Sequence, residues 1–202
     1  MKVKGDADFT VPTSSTTLNN VIAGSGGLFD DTGLKATVNL PASLALSVAH
    51  RAGKITYLAD VTWTGWSVFD ELRIVYDNPV QPDTVTTEAW EDTMRYSLGI
   101  DYQYSDKWIL RTGIALDETP VPDAEHRTPR LPGNDRTWFS LGFTYMINQK
   151  FSVDVGYSHL FIDDAKTNNT LETATPELNA TLTGTYEADV DILSGQLNWN
   201  FI

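Results

Sequence analysis

Connections of sharply different length alternate along the second half of the chain. Three tight turns, at Ala52-Gly53-Lys54, Ser105-Asp106-Lys107 and Asn148-Gln149-Lys150, alternate with long acidic connections at about 70–92, 118–135 and 162–177. The pieces between them run to about ten residues. In an up-and-down meander, consecutive connections lie at opposite ends, so the short ones share one rim and the long ones the other. Transmembrane β-barrels have that asymmetry. A further long outer loop is expected at about 12–41, and the whole of 1–202 reads as one barrel region.

Alternate positions of the strands separate two faces. Ile55, Tyr57, Ala59, Val61 and Trp63 stand against Thr56, Leu58, Asp60, Thr62 and Thr64; Met94, Tyr96, Leu98 and Ile100 stand against Arg95, Ser97, Gly99 and Asp101. The same holds for Trp108 to Asp117, Trp138 to Ile147 and Phe151 to Phe161, and more briefly for Leu44, Leu46 and Val48. Period-two alternation of this length predicts half-buried strands. A soluble barrel or sandwich also alternates, so the second face decides between them. It is mostly Gly, Ser, Thr and Ala with isolated charges of both signs, which suits a crowded lumen better than bulk water. The apolar faces carry no Asp, Glu, Lys or Arg, as expected where a charge at the bilayer midplane costs about 2–4 kcal/mol. Tyr102, Tyr104, Trp108, Tyr145 and Phe151 gather beside the tight turns, as an interfacial girdle does.

The last segment, Leu178 to Ile202, changes parity. Tyr186, Ala188, Val190 and Ile192 are even-numbered and Leu197, Trp199 and Phe201 odd-numbered, so a bulge is expected near Ser194-Gly195. About eight wall strands result. All nine prolines fall in connectors or at strand margins.

Composition excludes several classes. A net charge of −13 with 14 basic residues spread along the chain argues against nucleic acid as a partner. No apolar run is long enough for a membrane helix, which leaves a β-barrel open. Without cysteine there is no disulfide and no thiolate site. Met1-Lys2-Val3-Lys4-Gly5 shows no apolar signal region, so the sequence is expected to be stated without its signal or to be a piece of a longer protein.

Chemistry-bearing residues are few. His50, His126 and His159 are scattered, with His159 on an apolar face near a strand end; interfacial placement is expected there, and no metal site, organic cofactor or catalytic Ser/His/Asp set is read. Asp60, Asp101, Asp117 and Asp154 project with Arg95 and Arg111 from the small-residue face and are expected to pair as a lumenal polar network. Arg95 and Arg111 are also candidates to bind a carboxylate, because guanidinium does so bidentately, and Arg73 is a candidate at a surface capture site. Seven carboxylates against Arg73 alone in 70–92 read as a solvated face, or as a cation-sharing contact with anionic lipopolysaccharide.

Two stretches carry a family likeness. Residues 64–72, TGWSVFDEL, and residues 108–122, WILRTGIALDETPVP, followed by 130–138, RLPGNDRTW, resemble the outer-membrane long-chain fatty-acid transporters of the FadL type. The ending Leu197-Asn198-Trp199-Asn200-Phe201 looks like the aromatic tail read by the barrel-assembly machinery, although Ile202 follows it. The resemblance implies a fourteen-stranded antiparallel barrel in the Gram-negative outer membrane, of which this chain is roughly the C-terminal half. It also implies uptake of long-chain fatty acids or other hydrophobic molecules without enzymatic chemistry, in contact with outer-membrane lipid and lipopolysaccharide. A structural or adhesive eight-stranded barrel and a soluble lipid-binding barrel are the alternatives.

Overall fold

The structure, a computed structural model, describes residues 1–9, 20, 22, 24–28, 30–171 and 180–201. The expected loop positions 12–19 and 172–177, with Pro12 and Pro176, lie outside the described residues, as does Leu178. Thirteen strands are described: β1 (Lys2–Ala7), β2 (Thr32–Thr37), β3 (Ser43–Ala52), β4 (Ile55–Thr64), β5 (Glu71–Tyr76), β6 (Thr84–Thr87), β7 (Thr93–Gln103), β8 (Trp108–Asp117), β9 (Arg136–Met146), β10 (Phe151–Ile162), β11 (Ala165–Thr170), β12 (Thr181–Tyr186) and β13 (Asp189–Trp199). No described helix is long and apolar enough to cross a membrane.

Seven of these strands form one antiparallel wall in the order β13-β10-β9-β8-β7-β4-β3. Each is ten to twelve residues long, close to what a tilted strand needs to cross the hydrocarbon layer. Tight turns join β3 to β4, β7 to β8 and β9 to β10; residues 65–92, 118–135 and 163–188 make the long connections at the other end. Gly53 holds φ at 61° in the first turn, a left-handed value that glycine takes without steric cost. β3 and β13 are the two outer strands of the sheet, which is therefore a partial barrel wall.

Register fixes which residues share a face. Ser47, Asp60, Ser97, Ala115, Trp138, Leu160 and Val190 lie on one rung across all seven strands. The opposite face is apolar and open to the surroundings, with Leu46 77%, Leu98 63% and Leu193 78% exposed. An apolar surface of that extent has to be covered, and lipid covers a barrel wall. At the turn end, Trp108 packs against Phe143 and Tyr145, and Phe151 stacks on Trp199 with centroids 5.5 Å apart.

Two departures from the sequence reading concern strand number and parity. The last segment, read as one long strand, is two. β12 leaves the wall to pair with β11, and β13 pairs with β10 from Phe151↔Trp199 to Phe161↔Asp189 without interruption, so no bulge interrupts this pairing. The wall thus has seven strands, and Val190 and Ile192 turn to the polar face while Asp191 turns to the apolar one. Tyr186 suggested the wrong parity because it belongs to a different element. The second departure is that the long connections are themselves structured: β1-β2-β5-β6 form a four-stranded sheet and β11-β12 a hairpin. Their sequences, such as KVKGDA, TVTT and AKTNNT, are short and poor in large apolar residues, so any alternation in them is too weak to mark a wall strand. Close packing is concentrated at this loop end, where Phe69, Val121, Ala165, Glu88, Arg127, Thr128 and Thr167 are buried.

Candidate ligand cleft and lumenal charge clusters

On the polar face nearest the loop end, Thr62, Arg95, Asp117 and Arg136 occupy one rung across β4, β7, β8 and β9. Arg136 Nη2 lies 3.2 Å from Asp117 Oδ2, so that pair neutralises itself. Arg95 has no carboxylate within ion-pair distance among the described residues. Its guanidinium instead lies over the Trp138 ring, 5.2 Å from the centroid, an arrangement that stabilises a cation while leaving its hydrogen-bond edge available. Arg136 Nε and Trp138 Nε1 are buried donors without a partner.

Above this rung opens a cleft of about 520 Å³, lined by Arg95, Arg130 and Arg136, by Asp117 and Glu118, and by Trp66, Trp90, Pro120 and Val121. Asp117 is paired with Arg136, and Glu118 accepts from the Met94 amide at 2.7 Å. Its aromatic wall is assembled from one loop. Trp90 meets Trp66 at 5.0 Å and Phe69 at 4.8 Å, both edge to face. The Ser67 amide donates to Asp92 Oδ1 at 2.9 Å, which fixes the short 3-10 turn Trp66–Val68 against the start of β7. That amide and the Ser67 hydroxyl hold the Asp92 carboxyl below the usual carboxylate range. Beside Trp90, burial pushes the Glu88 carboxyl up, opposed by the nearby Trp90 indole and the Arg130 guanidinium. The cleft therefore combines apolar walls with three guanidinium groups against two carboxylates that already have partners, a lining that can take an amphipathic anion.

The other expected site residues fall in separate clusters. Arg111 Nε lies 3.6 Å from Asp101 Oδ2, and its Nη1 lies 3.4 Å from Asp154 Oδ1 and 2.5 Å from Thr144 Oγ1. Asp154 also accepts from Thr144 and Asn198. Asp60 accepts from Ser47 at 2.5 Å and Thr62 at 3.0 Å. The four lumenal carboxylates thus share the polar face but form three groups, with Asp101 and Asp154 joined through Arg111. A trough of about 640 Å³ lies beside that group, with Gly142 and Gly156 on its floor. A Cβ at Gly142 would stand 3.0 Å from the Val155 carbonyl, so a larger residue there needs the neighbouring strand to shift by a few tenths of an ångström. Arg73 is far from either arrangement in sequence and sheet: on β5, it pairs with Glu71 at 2.8 Å and Asp83 at 3.3 Å, which raise its pKa.

The acidic loop is less bare than its composition suggests. Besides Glu71 and Asp83, Asp77 pairs with Lys35 of β2 at 3.3 Å, and Glu88 is buried. Asp123 caps the turn at His126, accepting from the Glu125 and His126 amides, and the His126 amide holds the Asp123 carboxyl down. His50 lies on the apolar face of β3, opposite Tyr57. His159 faces the apolar side, as expected, but opposite Asp191. Sequence reasoning missed Arg136 and Trp138 as cleft residues; once β8 and β9 are paired, Arg136 stands opposite Asp117, and that register was the missing signal.

Comparison with known proteins agrees with this architecture. Residues 1–201 match the family described as outer membrane protein transport protein (OMPP1/FadL/TodX). A long-chain fatty acid transport protein of Escherichia coli is 34% identical over 165 residues, 79% of this chain and 36% of that protein. Outer membrane protein P1 of Haemophilus influenzae is 31% identical over 205 residues, 98% of this chain and 42% of that protein. The crystal structure of a Pseudomonas aeruginosa FadL homologue superposes with a TM-score of 0.85 at 25% identity, covering all of this chain and 46% of the other. The chain spans well under half the length of these curated relatives. With the wall, the exposed apolar face and the family match in place, the chain belongs to the OMPP1/FadL/TodX family of outer-membrane transport proteins and forms part of its β-barrel in the Gram-negative outer membrane.

Proposed function

We propose that this chain is the loop-end wall of an outer-membrane channel for uptake of long-chain fatty acids or related hydrophobic molecules, and that it is not an enzyme. One observation carries the reading: the cleft above the Arg95–Asp117–Arg136 rung pairs a guanidinium lacking a carboxylate with an aromatic and proline wall. A fatty acid has the complementary halves. Its carboxylate would sit on Arg95, a charge-assisted contact worth about 1.5–3 kcal/mol, and its chain along Trp66, Trp90 and Val121. The name of the Escherichia coli relative supports the substrate class. Tight turns then face the periplasm and long connections the exterior. Membrane lipid surrounds the apolar face, lipopolysaccharide meets the loop end, and the assembly machinery reads the aromatic tail that runs from β13 to Phe201. Arg111, neutralised by two aspartates, serves the lumenal network rather than the ligand; Arg73 serves its own sheet.

The test compares a fluorescent long-chain fatty acid with the uncharged alcohol of the same length, titrated into the full-length protein in detergent. Arg95→Ala is expected to weaken fatty-acid binding by about 10- to 100-fold and alcohol binding by less than about twofold. Equal losses for both ligands, or none for either, would overturn the assignment.

A further inference from the structure

The apolar face carries an exception to its own rule. β10 and β13 place His159 directly opposite Asp191, and Phe161 opposite Asp189, so an imidazole and two carboxylates share the outward side of the wall. His159 Nδ1 lies 2.8 Å from Asp191 Oδ1, which also accepts from the Tyr157 hydroxyl at 2.6 Å. One potential donor atom from each of His159, Asp189 and Asp191 lies within 4.8 Å of the other two. The imidazole can neutralise at most one carboxylate, and among the described residues no Lys or Arg is within ion-pair distance of either. Two like charges on one strand, side by side on a face otherwise apolar, call for a cation.

We propose that His159, Asp189 and Asp191 bind a divalent d-block cation of the Zn2+ type. Imidazole selects this class over Mg2+ and Ca2+, which take oxygen sets. Zinc binds imidazole nitrogen and carboxylate oxygen at about 2.0–2.2 Å, which places tetrahedral donors roughly 3.4 Å apart. The His159–Asp191 pair therefore has to open by about half an ångström as the ion replaces the proton between them. Tyr157, bonded to Asp191, orients that carboxylate as an outer partner, the arrangement that metal sites use to fix their ligands. Phe161 lies edge to face against the His159 ring at 4.3 Å and limits how it turns. The rung is eight residues from the Phe151–Trp199 girdle pair, about 26 Å along the strand and roughly 20 Å of bilayer depth. The site thus sits near the loop-side rim of the apolar band. The sequence reading expected interfacial placement of His159 and read no metal site, and its parity for the last segment put Asp191 on the other face.

Calorimetric titration of Zn2+ into the full-length protein, purified in detergent and stripped with chelator, tests the site. One ion per chain is expected, with affinity at least tenfold lower in His159→Gln and in Asp191→Asn, and unchanged in His126→Gln. Heat-modifiable gel migration checks that each variant keeps its barrel. Absence of binding in the native protein, native-like binding in His159→Gln, or loss in His126→Gln would each refute it. Fatty-acid binding is read separately and is expected to be the same with and without Zn2+, so failure here leaves the cleft reading standing.

Discussion

Ala89 holds a left-handed φ of 47°, and its neighbours explain why. The amides of Glu88 and Ala89 both donate to the Asp70 carbonyl at 2.8 Å, and this double bond turns Trp90 back onto Trp66 and Phe69. A non-glycine residue in that region costs on the order of 1 kcal/mol. Ala89→Gly is expected to leave the loop end as stable or up to about 1 kcal/mol more so, while Ala89→Val lowers its stability, read as resistance to proteolysis between β5 and β7. Glu88 gives a pH dependence of opposite sign to that of the surface carboxylates. Burial raises its folded pKa above the unfolded value, so the folded state binds its proton more tightly. Its contribution is fully present below the unfolded pKa and declines as pH rises through the folded one. Glu88→Gln should flatten that decline and make the loop end more resistant to protease at neutral pH; an unchanged pH profile would count against it. Asp92 and Asp123, held low by backbone amides, act the other way and lose their contribution as pH falls.

At the scale of the strand, face is everything. Leu98→Arg places a charge on the outward side and is expected to cost about 2–4 kcal/mol, measured in the unfolding of the heat-modifiable form; its neighbour Ser97→Arg faces the lumen and should cost much less. Gly142→Val brings a side chain against the Val155 carbonyl, at a cost of about 1–3 kcal/mol. Cysteines at 192 and 193 test the parity of β13: a water-soluble thiol reagent should label Ile192→Cys, and lipid should shield Leu193→Cys. These strands also show what was legible beforehand. β4, β7, β8, β9 and β10 are readable because one face is lipid-exposed and the other is not, which stamps a two-residue period on the sequence. β1, β6 and β11 are four to six residues long and carry few large apolar side chains, so their sequences hold too little contrast between faces to announce them. Arg95, Arg111 and the four lumenal aspartates were found because they interrupt a small-residue face. Arg136 and Trp138 required knowing which residue stands across from which, and Asp191 required knowing where β12 ends.

Taken as a whole, the molecule reverses the usual arrangement of a globular protein: large apolar side chains lie outside on the wall, and most of the buried residues among those described sit at the loop end. The six tryptophans report on both zones. Trp63, Trp108 and Trp199 face outward, Trp138 faces the lumen, and Trp66 and Trp90 lie by the cleft. In bilayers of brominated phospholipid, Trp108→Phe and Trp199→Phe should each reduce the quenched fraction of fluorescence, whereas Trp66→Phe and Trp138→Phe should raise it. A uniform response across all four would place the wall in water.

The long connections at 65–92, 118–135 and 163–188 each leave the wall from one strand and return on the strand hydrogen bonded to it. Their ends are thus pinned about 5 Å apart, whatever lies between. Closing such a loop becomes harder only with the logarithm of its length, about 0.6 kcal/mol for each doubling. The loop end can therefore lengthen, shorten or exchange whole segments while the wall that carries them keeps its register.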